Sequence, residues 1–294
     1  MKFNQILIFL FGYVLNFLYN LVQNYGLAII IFTLLLKVFL LPLSIKQQKA
    51  MKKNSKMQEE MQKLQVKYKN DPQMLNQEVM QLYKREKVSP FSGCLSSILQ
   101  FVIFISVFYL VSRPLSYMKK IDPEVIKNYT TEITESGENS SYPEIKIIET
   151  KSEDDENVSI NMNFLGLDLS KVPMQNYKDV KVFIIPTLYV LLTFVNIKIM
   201  NNMTKKKDKN SSDVKVLGKG KDDEAEKEES EMESMQNMTN SMNWMIPIMS
   251  VAVALIAPLG LSLYWLVSNI LQLGERLILD LISNKKEKEG KANA

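Results

Sequence analysis

Residues 24–53 read NYGLAIIIFTLLLKVFLLPLSIKQQKAMKK. From Leu27 to Leu43 the run is apolar apart from Thr33 and Lys37, with Pro42 near its end. At 1.5 Å per residue, about 20 such residues make a helix that crosses roughly 30 Å of hydrocarbon. Lys46, Lys49, Lys52 and Lys53 follow at once, and basic residues of this kind mark the cytoplasmic end of a span. An all-α, polytopic membrane protein is therefore expected. Whole-chain averages conceal it, since 294 residues with 46% hydrophobic, 23% charged and a net charge of +4 look soluble. The apolar residues are gathered into blocks and the charges lie between them. Blocks of that length would overfill a soluble core, and they exclude intrinsic disorder.

The same scan predicts further spans at about 89–117, 181–201, 243–257 and 260–282, which gives a five-helix core. A sixth apolar stretch, Phe3 to Val22, carries Asn4, Gln5, Asn16 and Asn20. It fits an amphipathic helix lying in the interface, a spanning helix, or a signal peptide with a weak basic start. Orientation follows from lysine and arginine: residues 46–87 hold eleven against five acids, so this stretch is placed in the cytoplasm with the C-terminus. Residues 119–180 carry the acidic run Glu153 to Glu156 and face outward, while Arg113, Lys119 and Lys120 at the outer end of the second span violate the rule. The fourth span is short, with Pro258 and Gly260 forcing a tight return into the fifth.

Between the first two spans, Met57, Met61, Leu64 and Tyr68 share one helix face and Leu75, Val79 and Leu82 another, with Asp71 and Pro72 suited to start the second arm. An antiparallel cytoplasmic hairpin follows. Its stripes either zip together or leave methionines and basic faces for partners and headgroups. Residues 204–233 are a mixed-charge linker. Residues 121–160 are similarly polar, with Ile145 to Ile148 as a short strand or helix. The predicted boundaries are an N-terminal segment 1–23, core span 24–46, hairpin 47–87, core span 88–118, outer loop 119–180, core span 181–201, linker 202–242, paired core spans 243–282 and a basic tail 283–294.

Zero histidines and a single cysteine, Cys94, remove the commonest general base and metal ligand and any disulfide framework. No metal site, no cofactor and no enzyme chemistry are expected. The informative residues are polar ones inside the spans, which are costly there. Thr33 and Lys37 share a face in the first span; Ser96, Ser97 and Gln100 cluster in the second; Tyr189, Thr193 and Asn196 lie along the third; Ser262, Trp265, Asn269, Gln272 and Arg276 form a stripe on the last. Interhelical hydrogen bonding or bonding of hydroxyls to their own backbone accounts for many of these. Lys37 is different, because no acid sits in the middle of a span; either Glu275 pairs with it or water reaches it from the cytoplasm.

The run at 24–53, MQEEMQKLQVKYKNDPQ at 57–73, REKVSPFSGCLSSILQFVIF at 85–104 and NWMIPIMSVAVALIAPLGLSLYWLVSNILQ at 243–272 together resemble the YidC family of membrane protein insertases and its organelle relatives. The resemblance covers the spans and the hairpin, about two thirds of the chain. It implies a five-helix core with a hydrophilic groove open to cytoplasm and lipid, and a mobile hairpin over the groove. The position of Lys37 usually carries arginine in that family, Gln100 matches its second-helix glutamine and Trp265 its last-helix aromatic. The implied groove set is Lys37, Thr33, Gln100, Ser97, Trp265, Asn269 and Ser262, with Met57, Met61, Asp71 and Pro72 in the hairpin. The acidic insertion at 121–160 and the lack of a lipid-attachment cysteine near the start depart from the pattern. The implied function is a non-enzymatic insertase and chaperone in a bacterial plasma membrane. Its partners would be nascent membrane proteins and the lipid bilayer, with a ribosome and a translocation channel open as further ones and no specific nucleic acid. The alternative is a small-solute or ion transporter, against which the absence of repeats and of mid-membrane acids weighs.

Overall fold

The computed structural model describes residues 3–68, 71–86, 92–208 and 252–292. Its helices are α1 (Phe3–Val22), α2 (Tyr25–Lys67), α3 (Pro72–Glu86), α4 (Ser92–Ser112), α5 (Pro123–Glu135), α6 (Pro143–Lys151), α7 (Ile184–Asp208) and α8 (Leu259–Ala292). A π-helical turn, Leu115–Lys119, follows α4, and a 3-10 turn, Val180–Phe183, precedes α7. The strands β1 (Asn163–Phe164) and β2 (Leu167–Asp168) pair antiparallel, Asn163 opposite Asp168. Asn4–Val22, Tyr25–Ala50 and Val180–Ile199 are long and apolar enough to cross a membrane. Their exposed side chains, among them Val38 and Phe39 on α2 and Leu191 and Phe194 on α7, are ones that lipid suits better than water. The chain is a helical membrane protein.

It divides into two compact units, Met1–Leu41 with Phe101–Lys198 and Met249–Ala294, and Pro42–Gln100 with Ile199–Ile248. In the first unit the helix ends are joined by one irregular stretch. The carbonyl of Asn161 accepts the Tyr25 N–H at the start of α2 (3.0 Å), and those of Lys171 and Leu169 accept the N–H groups of Leu259 and Gly260 at the start of α8 (2.9 and 3.0 Å). Asn24 caps α2 through the Leu27 N–H (3.1 Å) and donates from its amide to the Asn163 carbonyl (2.7 Å). Helix N-termini leave N–H groups without intrahelical partners, and this stretch satisfies them.

Several boundaries differ from the sequence expectation. The helix of the first span does not stop near residue 46 but continues as α2 to Lys67, beyond the apolar stretch that ends at Ala50. Residues 43–67 contain neither glycine nor proline and are rich in Lys, Gln, Glu and Met, all good helix formers. In the other direction, α4 stops at Ser112 because Pro114 lacks an N–H and its ring crowds the preceding turn. The π-helical turn then ends at Lys120, in the left-handed region at φ 57°. Residues 121–160 are not simply polar loop. Asp122 caps α5 by accepting from the Glu124 N–H (2.8 Å), α6 packs on α5, and Ile133, Ile145, Ile147, Ile148, Val158 and Ile160 are buried. A few isoleucines at helical spacing suffice where the counted average is hydrophilic. Residues 252–256 are helical; the rest of the span expected at 243–257, like residues 209–242, lies outside the described residues.

One carboxylate fastens α6 to the π-helical turn after α4. Glu144 is buried, and it accepts from the Ser116 N–H (2.9 Å) and the Ser116 hydroxyl (2.6 Å). Burial holds its pKa above the ordinary 4.5, against the pull of those hydrogen bonds and of Arg113. Elsewhere, α1 crosses the π-helical turn so closely that a Cβ on Gly12 would overlap the Tyr117 carbonyl, and one on Gly26 would overlap the Phe164 ring.

In the second unit, Met57 and Leu82 are buried, the Tyr83 hydroxyl reaches the Met61 sulfur (3.9 Å), and Arg85 pairs with Glu60. These contacts set α3 antiparallel to the later part of α2. Asp71 caps α3 by accepting the Met74 N–H (3.0 Å), and Pro72 is its first residue.

Gly12→Ala should lower the stability of the purified protein by about 1–3 kcal/mol through overpacking, whereas Gly274→Ala, with open space around its Cβ, should leave the thermal unfolding midpoint unchanged or raised. The folded state keeps the Glu144 proton at pH values where the unfolded chain has released it. Stability should therefore fall as pH rises from 4.5 through the raised folded value and level off above it. Glu144→Gln should flatten that slope in denaturation measured against pH.

Candidate functional site

Lys37 is half-buried on α2, in a helix whose neighbouring positions Leu34, Leu35, Val38 and Phe39 are exposed apolar side chains. Two charged groups of α8, Glu275 and Arg276, act on it electrostatically. The open alternative of a Glu275 partner thus has a structural counterpart, and Lys37 is not electrostatically isolated. Its three-charge neighbourhood carries one net positive charge.

The hydroxyls expected at the site turn inward. Thr33 is buried and donates to the Ile29 carbonyl one turn back (2.6 Å), and Thr193 does the same to Tyr189 (2.8 Å). Such back-bonding uses the donor and leaves little for a ligand. Ser262 is also buried, but its hydroxyl donates to the Ala254 carbonyl (3.0 Å), eight residues back across Pro258, and so ties α8 to the helical residues before it. Asn269 is half-buried. The side chains of Ser97 and Gln100 lie outside the described residues. Met57, Met61, Asp71 and Pro72 sit in the hairpin as given above.

Trp265 is 8% exposed and forms an aromatic cluster across three helices. Its indole stacks on Phe104 of α4 at 5.8 Å and 8° between planes, and tilts against Tyr189 of α7 at 6.3 Å. Its indole N–H is buried with no hydrogen-bond partner, and leaving such a donor unpaired costs free energy. Phe104 was not singled out from sequence. Its place one turn beyond Gln100, on the same helix face, is the signal that would have found it. A separate cavity of about 410 Å³ is lined by residues including Glu138, Tyr142, Lys146 and Lys171, and none of the expected site residues lines it. Among the described residues no group of His, Cys, Asp and Glu is placed to hold a metal ion.

A family model described as "60Kd inner membrane protein" matches residues 17–287. The protein named "Membrane protein insertase YidC" of Syntrophus aciditrophicus is 50% identical over 94 residues, 32% of this chain and 17% of that relative. The like-named protein of Fusobacterium nucleatum is 45% identical over 97 residues, 33% of this chain and 47% of the relative. That of Clostridium tetani is 42% identical over 114 residues, 37% and 52%. The matches therefore span between about a sixth and about half of these relatives' lengths.

Phe104→Leu, which keeps most of the volume and loses the ring stack, should cost about 0.5–1.5 kcal/mol. Trp265→Ala should cost about 3–5 kcal/mol through the cavity it leaves. Thermal unfolding in detergent micelles separates the two.

Proposed function

We propose, from the premise that this chain belongs to the 60Kd inner membrane protein family, that it is a membrane protein insertase and chaperone of a bacterial plasma membrane. The observation that carries this is Lys37, a half-buried cation in a helix otherwise suited to lipid, within a chain matched to that family over residues 17–287. Of the three apolar helices, α2 and α7 would belong to a five-helix core whose polar groups line a hydrophilic groove, with α1 beside it and the hairpin and the C-terminus in the cytoplasm. The groove would hold Lys37, Thr33, Ser97, Gln100, Ser262, Trp265 and Asn269. In keeping with their inward bonds, Thr33 and Ser262 would shape its wall. Lys37 would supply its charge.

In this mechanism the polar or acidic tail of a nascent membrane protein enters the groove from the cytoplasm and is drawn toward Lys37. Its apolar segment meanwhile slides along the lipid-facing side of the core. No bond is made or broken and no nucleotide or metal is used; the groove shortens the dry path the tail must cross. Carrying a carboxylate through hydrocarbon costs at least about 2.5–3.5 kcal/mol on insertion scales, so partial relief changes rates by about ten- to a hundredfold. The hairpin's methionines Met57 and Met61 and its basic faces would dock clients or headgroups, with a ribosome and a translocation channel as further partners.

Insertion of clients with acidic tails by reconstituted protein tests this. Lys37→Arg should retain it, and Lys37→Ala should slow it about tenfold or more while sparing clients with neutral tails. Equal insertion of every client by the alanine variant would remove Lys37 from the mechanism.

A further inference from the structure

The three basic residues at the outer end of α4 run against the charge rule that orients the rest of the chain, and the structure gives them a setting. Lys120 lies over the rings of Phe9 (4.7 Å) and Tyr13 (2.8 Å) of α1, and Lys119 over that of Tyr19 (5.8 Å). Arg113, by contrast, lies just past α4 over its Tyr109 ring and acts on Glu144. No ion pair among the described residues includes Lys119 or Lys120. Phe9, Tyr13 and Lys120 are exposed.

At about 100° per residue, α1 has three flanks rather than two. Ile8, Phe11, Leu15 and Leu18 are buried against the protein. On one side of that stripe lie Gln5, Asn16 and Asn20; on the other, Ile6, Leu10, Phe17 and Leu21 are exposed. Phe9 falls within the polar flank, between Asn16 and Asn20, and Tyr13 stands where that flank meets the apolar one. A helix crossing the bilayer has no use for a polar flank along its whole length, whereas one lying in the interface needs protein, water and lipid sides together. Rings at the water–lipid boundary with cations beside them sit at the depth of phospholipid phosphates.

We infer that Lys119 and Lys120, held over the aromatic edge of α1, form a binding surface for the headgroups of anionic phospholipids in the leaflet at that end of α4. The match is one of charge and depth: two unpaired ammonium groups at the level of the phosphodiesters, with an apolar flank below them for the acyl chains. The backbone adds a point about Lys120. Its φ of 57° lies in the left-handed region, which glycine and asparagine occupy more readily than lysine. The turn alone does not call for lysine there, whereas a headgroup does. The inference rests on the interfacial lie of α1 and holds whether or not the protein inserts clients.

The test uses the full chain with Cys94→Ser and Leu10→Cys, a bimane on the new thiol, and vesicles of phosphatidylcholine with one quarter phosphatidylglycerol. Brominated phosphatidylglycerol should quench the bimane more than equally brominated phosphatidylcholine does. The preference should fall about fivefold for each lysine removed, in Lys120→Gly and then with Lys119→Gln added. Lys120→Arg should keep it. Lys120→Gly relieves the left-handed backbone and should unfold at the parent's temperature or above, so a lost preference there is not a lost fold. Equal quenching by the two lipids in the parent, or an unchanged preference in Lys120→Gly, would overturn the inference. So would stronger quenching by bromines deep in the acyl chain than by shallow ones, the pattern of a spanning α1.

Discussion

A helix that starts at a membrane surface presents N–H groups that neither its own backbone nor hydrocarbon can satisfy, and the first unit is organised around meeting that demand. The stretch from Asn161 to Lys171 gives carbonyls to the starts of α2 and α8, and Met174 donates its N–H to Leu255 just before α8. Glu144 does for the π-helical turn what those carbonyls do for the helices, accepting the Ser116 N–H at its start. Asn161 also donates its N–H to the Tyr19 hydroxyl and its side-chain amide to the Gln23 carbonyl at the end of α1, so one connected stretch and one short helix hold the ends of α1, α2 and α8 and the π-helical turn. The acidic insertion is thereby part of the scaffold. Its isoleucines are buried alongside Glu144 on the same short helix and its neighbours.

The sequence makes some of this legible and hides the rest for definable reasons. Hydropathy finds α1, the first part of α2 and α7, because crossing hydrocarbon demands a length of apolar chain that nothing else mimics. Local stereochemistry finds Asp71 and Pro72 as the start of α3, since a cap and its helix are three residues apart. Averaged polarity fails at residues 121–160, where six buried apolar side chains decide the packing against many exposed charges. Glu144 and Ser116 are 28 residues apart, and no spacing rule joins them. α8 is intermediate: its polar stripe is plain, yet Ser262 serves the Pro258 turn, which only the fold reveals.

The candidate site divides in the same way. Lys37 and Trp265 stand out from sequence because each is an unusual residue where lipid-compatible ones are expected. Phe104 and Tyr189, which complete the aromatic cluster, are ordinary residues of apolar helices, and their meeting with Trp265 depends on which helices are neighbours. Thr33 carries the opposite lesson. Its position on the Lys37 face suggested a shared role, but a hydroxyl bonded to Ile29 is already satisfied and contributes shape more than chemistry.

Charge placement links the proposed groove to energetics. A lone buried ammonium attracts a client carboxylate strongly, but it also holds it, and insertion requires release. Glu275 and Arg276 beside Lys37 change that balance. In the proposed groove the carboxylate would weaken the field that an arriving tail meets and the guanidinium would keep the sum positive, so the three groups would attract together as one spread charge. The interaction with a passing tail would then be broad in position and shallow in depth. In the proposed mechanism such a profile would lower the barrier to a charged tail without creating a trap on the far side of it, as action on many sequences in succession would require.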